Sequence, residues 1–248
     1  MGTEGSGASR AGGEGLHNED VFLVEEGLGL YVVCDGASGT PAGEIAARVA
    51  SEALEEFVAR AEQSSEFGQG EAARQMVEEA MVHALTAVSE SERTHPEFRG
   101  LSTTVTMLLA HERLGVVGHW GDSRAYLIRR GRAHQLTVDH ELTELASNRV
   151  GGEVERDVFA LELEPGDTIV LCTDGAEEVV REAGILRVAG TLSPQLLASR
   201  IVAAAHRQTP THDATAVVVR VRREREPGWL ELSMPSRRTT FGHTLPRG

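Results

Sequence analysis

Three apolar, strand-like runs in this chain are each tied to an aspartate. Leu30-Tyr31-Val32-Val33-Cys34 closes on Asp35-Gly36, Thr168-Ile169-Val170-Leu171-Cys172-Thr173 closes on Asp174-Gly175, and Asp213 opens Ala214-Thr215-Ala216-Val217-Val218-Val219. An apolar β-rich run buries itself against a core, so a carboxylate at its tip is held at the rim, where several tips can meet. Carboxylates that meet repel one another. Either some protonate or a cation neutralises them, and a hard divalent ion with oxygen ligands suits such a cluster. A lone Asp-Gly is a turn, because Gly accepts positive φ and Asp caps locally. Two such pairs ending apolar runs, with a third Asp at a strand edge, point instead to a constructed site.

The composition narrows the chemistry. A chain of 248 residues, 40% of them hydrophobic, can bury one sizeable core, and the motifs spread across it indicate one catalytic domain. Net charge is −14, which argues against a general nucleic-acid binder, since neutralising phosphates takes clustered positive charge. All 24 basic residues are Arg, so P-loop and Schiff-base chemistry, which require Lys, are excluded. Cys34 and Cys172 both lie inside apolar runs and read as buried free thiols, consistent with a reducing cytoplasm. No apolar stretch approaches the ~20 residues that span a bilayer, and the N-terminus lacks an apolar signal core.

Along the chain, residues 1–15 hold six Gly and read as a flexible lead-in. Val21–Val24 and Leu28–Cys34 read as a hairpin, and Thr40-Pro41 as the cap of a helix to about Arg60. Glu71–Glu92 repeats an amphipathic helical pattern. Strands are expected over Thr103–Ala110, Leu114–Trp120, Ser123–Arg129 and Ala133–Leu136, then a short helix over Asp139–Ser147. The strand ending at Thr173 leads to helices over Ala176–Glu182 and from Ser193-Pro194 to His206, then a strand over Ala214–Val221. Elements occur in blocks, which indicates an α+β class. Residues 223–248, rich in Arg and Pro, read as a flexible tail in which Ser236-Arg237-Arg238-Thr239-Thr240 has the pattern of a kinase target.

The order of motifs is more specific than any one of them. Asn18-Glu19-Asp20, then Asp35-Gly36 running to Ala42-Gly43-Glu44, then Ser102-Thr103-Thr104, Gly121-Asp122-Ser123-Arg124, Asp174-Gly175 and Asp213 together resemble the metal-dependent serine/threonine protein phosphatases of the PPM family, bacterial type, from Asp20 to Val221. The resemblance implies a four-layer αββα sandwich of two antiparallel sheets over residues 16–222, with a trimmed flap between His140 and Gly166. It implies Mn²⁺ or Mg²⁺, two ions with a weaker third, activating a water for attack on phosphorus. By motif, Asp35 would bridge the ions, the Gly36 carbonyl, Asp174 and Asp213 would complete one side, Glu19 and Asp20 would act around them, and Asp122 would help hold the third. His17, His119, His140 and His212 lie near motifs but have no ligand spacing, so no zinc site is expected.

The chain also departs from the family pattern. The family's phosphate-gripping Arg falls on Gly15, the His that often follows the first Asp-Gly is Ala37, and the residue after Asp213 is Ala214 in place of Asn. The resemblance thus implies an enzyme acting on phosphorylated proteins against a Ser/Thr kinase, with a catalytically weak phosphoprotein-binding module as the alternative. Arg124 and Arg10 are the other candidates to hold phosphate.

Overall fold

The computed structural model describes residues 2–13, 17–36, 41–63, 70–95, 102–140, 156–222 and 239–242. The described strands form two antiparallel sheets. The first runs in the order β1 (Gly2–Arg10), β10 (Ala214–Arg222), β9 (Thr168–Cys172), β6 (Arg124–Arg129), β7 (Arg132–Gln135). The second runs β11 (Thr239–Gly242), β2 (Asp20–Glu25), β3 (Leu30–Asp35), β4 (Val105–His111), β5 (Leu114–Trp120), β8 (Asp157–Glu162).

Strand alternation sorts the apolar residues into three layers of core. Tyr31 and Val33 of β3 meet Ile169, Leu171, Val217 and Val219 between the sheets. Leu30, Val32 and Cys34, on the other face, pack under helices α1 (Pro41–Gln63) and α2 (Glu71–Thr94) with Leu54, Val58 and Met81. Val170 and Cys172 of β9 pack under α3 (Asp174–Val180), α4 (Ala183–Val188) and α5 (Pro194–Gln208) with Val179, Leu197 and Ile201. The result is helices, sheet, sheet, helices. Strands buried on both faces read as continuous apolar runs, which is why β3, β9 and β10 stood out in the sequence. The Ser193 hydroxyl accepts from the Leu196 N–H and caps α5, with Pro194 at its first position.

Two expectations are corrected. Within the lead-in expected to be flexible, Gly2–Arg10 instead pairs with β10 along its whole length. The glycines there serve close packing. A Cβ at Gly5 would run into the Tyr31 ring and one at Gly7 into the Phe22 ring, so glycine at these positions makes room for the two rings. Within the tail expected to be flexible, Thr239–Gly242 adds to the edge of β2, whose unpaired N–H and C=O groups are a template for pairing. One strand of each sheet therefore lies outside residues 16–222. Strand β8 and helix α4 were not anticipated. β8 is an edge strand with a charged residue at each end and most positions partly exposed, so it shows no clean alternation. The Thr40 cap, most of the expected helix at Asp139–Ser147 and residues 141–155 of the expected flap lie outside the described residues. Among the described residues no helix is long and apolar enough to cross a membrane.

Candidate active site

The tips of β2 and β3 bring the first two carboxylates together, because Asp20 pairs directly with Asp35. Threonines fix this corner. Thr104 donates its N–H to the Asp35 carbonyl at 2.8 Å and its hydroxyl oxygen accepts the Asp35 N–H at 3.0 Å, while the Thr103 hydroxyl donates to the same carbonyl at 2.9 Å. With backbone and threonines satisfying its main chain, Asp35 is free to project a side chain without strand disorder.

The first sheet supplies the other half of the rim. Thr173, the last residue before α3, donates its hydroxyl to Asp20 Oδ2 at 2.9 Å and accepts the Thr215 N–H at 3.0 Å, tying the β9 and β10 ends to β2. Asp174 opens α3, and Gly175 lies against the Asp213 carbonyl so closely that no Cβ fits there. The Asp213 carboxylate accepts the Gly12 N–H at 2.6 Å and the Glu19 N–H at 2.7 Å. Glu19 in turn lies beside α1. A Cβ on Gly43 would clash with the Glu19 carboxylate and, at 2.7 Å, with the Gly36 carbonyl, so glycine at 36 and 43 is what lets helix, carbonyl and carboxylate approach.

Asp122 sits on the turn after β5. Gly121 adopts φ +112°, donates its N–H to His140 Nδ1 at 3.1 Å and accepts the His140 N–H at 2.8 Å. His140 stacks on buried His119, whose ring nitrogens meet the Thr106 hydroxyl and the Val138 carbonyl, both at 3.0 Å. These histidines are scaffolding for the Asp122 turn. Arg124 is also committed: it grips Asp139 through two hydrogen bonds of 2.8 and 2.6 Å and pairs with Glu177 at 2.7 Å. The Thr173, Thr104 and His140 contacts were not read from the sequence, although the Thr103-Thr104 motif marked one of them.

Electrostatics show how tightly the carboxylates are gathered. Burial pushes the Asp35 carboxyl well above the usual carboxylate range, and the charges of Asp20, Asp174, Asp122 and Asp213 push it the same way. Asp20 is pushed up to about 7, chiefly by burial, against the pull of hydrogen bonds from Thr215 and Thr173, with Asp213 and Asp174 adding repulsion. Asp122 is raised by burial and by Asp174. Among the described residues no three acidic, His or Cys side chains already close a ligand shell. The donor chemistry nonetheless fits a hard divalent cation: all these groups are oxygens, they repel one another, and Asp20 Oδ1 is buried without a hydrogen-bond partner.

Comparison with known proteins agrees with this geometry. The family model for protein phosphatase 2C matches residues 7–219. The serine/threonine phosphatase stp of Listeria innocua is 31% identical over 211 residues, covering 71% of this chain and 80% of that protein. The serine/threonine protein phosphatase PstP of Mycobacterium tuberculosis is 30% identical over 227 residues, covering 83% of this chain but 42% of that longer protein. The crystal structure of the M. tuberculosis phosphatase superposes with a TM-score of 0.76 at 25% identity, covering 90% of this chain and all of that one. A crystal structure of the PstP catalytic domain in complex with two manganese ions superposes with a TM-score of 0.75, also at 25% identity, covering 90% of this chain and 99% of that one. With the motif order, the two-sheet architecture and the carboxylate rim in agreement, the chain belongs to the protein phosphatase 2C family of serine/threonine phosphatases.

Proposed function

We propose that the carboxylate rim holds divalent cations and that the chain hydrolyses phosphoserine and phosphothreonine esters on proteins, opposing a bacterial serine/threonine kinase. The observation that carries this reading is Asp35, half-buried at the tip of β3 and destabilised as an anion by four neighbouring carboxylates. Asp35, the Gly36 carbonyl, Asp174 and Asp213 are the ligands we assign, with Glu19 and Asp20 supporting them and Asp122 contributing to a weaker third position. Mn²⁺ or Mg²⁺ suits these oxygen donors, and manganese occupies the related PstP structure. When bound, such a pair of ions lowers the pKa of a water and so supplies the nucleophile. The side chains orient and neutralise. Thr173 aims the Asp20 carboxylate, and backbone N–H groups of Gly12 and Glu19 aim that of Asp213. A thiol nucleophile is disfavoured, because Cys34 and Cys172 are fully buried and burial drives both thiols far from thiolate formation.

One observation favours the second reading, a phosphoprotein-binding module of weak turnover: Arg124 is committed to Asp139 and Glu177, and position 15 is Gly. Release of phosphate from a phosphothreonine peptide, measured with Mn²⁺ and after chelation, separates the two. The phosphatase reading expects turnover that chelation abolishes and that Cys34→Ser and Cys172→Ser leave intact. Peptide binding without phosphate release would select the module, and full turnover in chelated protein would overturn the mechanism.

A further inference from the structure

The turn that carries Asp122 is also where the chain changes sheets. Gly121-Asp122-Ser123 joins β5 of the second sheet to β6 of the first and lies outside the ladders of both, so neither sheet sets its place at the rim. Ser123 ties it to the tip of β3. This serine is fully buried, and its hydroxyl shares a hydrogen bond of 2.8 Å with that of Thr104, which is buried too and accepts the Asp35 N–H at 3.0 Å. Thr104 also packs beneath the turn: a Cβ on Gly121 would come within 2.6 Å of Thr104 Cγ2. The Ser123 carbonyl accepts the Thr106 hydroxyl at 3.2 Å. Residue 121 is thus held by His140 and residue 123 by Thr104 and Thr106, which leaves the Asp122 side chain between two fixed points.

We propose that Ser123 is a positioning residue for the cation position at Asp122: through the Thr104 hydroxyl it fixes the Asp122 turn against the tip of β3, a role that rests on the cation-binding reading of the rim. Asp174, which follows β9 of the first sheet, repels the Asp122 carboxylate. With no ion between them that repulsion pushes the turn outward, and a tether that resists it keeps the oxygen donors at the spacing a cation needs. Partners of this kind orient metal-binding groups without touching the ion. The two hydroxyls act on different ends of the link. Removing that of Ser123 frees the Asp122 turn but leaves the Asp35 N–H on Thr104, whereas removing that of Thr104 frees both.

Titration of Mn²⁺ alone into chelator-stripped protein tests this, with the free ion followed by its electron paramagnetic resonance signal and folding checked by far-UV circular dichroism. The parent should take up Mn²⁺ in a tighter and a weaker phase, and Asp122→Asn should abolish the weaker one. Ser123→Ala should weaken that phase roughly ten- to a hundredfold, as loss of an outer partner does, and leave the tighter phase unchanged. Thr104→Val should weaken both phases, and Thr104→Ser, which keeps the hydroxyl, neither. A parent-like weaker phase in Ser123→Ala would overturn the proposal, and so would equal weakening of both phases, the mark of a general structural loss. If Ser123→Ala does not fold, Thr104→Val decides, since a parent-like weaker phase there overturns the proposal as well. Two phases in the parent that Asp122→Asn leaves intact would overturn it alone. A parent that takes up no Mn²⁺ would overturn the cation reading of the rim and the role of Ser123 together.

Discussion

Asp20 lies directly across the β2–β3 ladder from Asp35, with one carboxylate oxygen held by the Thr173 hydroxyl and the other buried without a partner. A site that places a buried carboxylate opposite a half-buried one is poised against itself until a cation arrives. Its stability without metal should therefore depend on pH in a definite sense. The Asp20 carboxyl, ordinarily at 3.8, is pushed up to about 7, so the folded state keeps a proton that the unfolded state has released. That proton's contribution is complete below the ordinary value and is lost as pH rises through about 7.

In chelated protein, thermal melting of the parent relative to Asp20→Asn should therefore fall as pH is raised from 4 to 7.5. Two parallel profiles would contradict the burial of Asp20 as an acid. Divalent metal at pH 7.5 should stabilise the parent more than the variant.

Asp35→Asn should reduce turnover by orders of magnitude while leaving the chelated protein as stable as the parent or more so, because it removes one member of a repelling cluster. Turnover and chelated melting measured together decide this. A variant that melts well below the chelated parent would show that Asp35 is not destabilised by its neighbours.

Thr173 serves two buried partners, Asp20 Oδ2 and the Thr215 N–H. Thr173→Val keeps the shape but strands both, and an unsatisfied buried group costs about 1–3 kcal/mol. Thr173→Ser retains the hydroxyl and should lie close to the parent in denaturant unfolding. Equal stability of the valine and serine variants would remove the hydroxyl from the account.

The contact of Gly7 with the Phe22 ring predicts a coupled pair. Gly7→Ala overpacks the layer between the sheets and should destabilise by about 1–3 kcal/mol. Phe22→Leu in that background should restore part of the loss, with a coupling of about 0.5–3 kcal/mol in a double-mutant cycle. Strictly additive effects would mean that the strand shifts away freely.

Arg124 and position 15 separate structure from substrate binding. Arg124→Gln should lower melting temperature, because it releases Asp139 and Glu177, with little change in KM for a phosphothreonine peptide. Gly15→Arg should lower KM roughly ten- to a hundredfold, from a charge-assisted pair of about 1.5–3 kcal/mol, with a smaller change in kcat. If instead Arg124→Gln raises KM with stability unchanged, Arg124 itself grips the phosphate.

Much of this protein was legible in the chain because its strands are buried on both faces. An unbroken apolar run ending in Asp is a local pattern, and β3, β9 and β10, with Asp35, Asp174 and Asp213 at their tips, follow from it almost residue for residue. So does α5, through its Ser193 cap. The rest depended on partners far away in sequence. Gly5 and Gly7 suggest flexibility until the Tyr31 and Phe22 rings are placed against them, and Thr239–Gly242 suggests a tail until an open edge on β2 receives it. Thr173 looks like one more strand residue, yet it reaches Asp20 across 153 positions of chain. Periodicity and capping report a segment's own preferences, whereas close steric fit, edge pairing and shared hydrogen bonds belong to two segments at once. Only their meeting in the tertiary structure decided them.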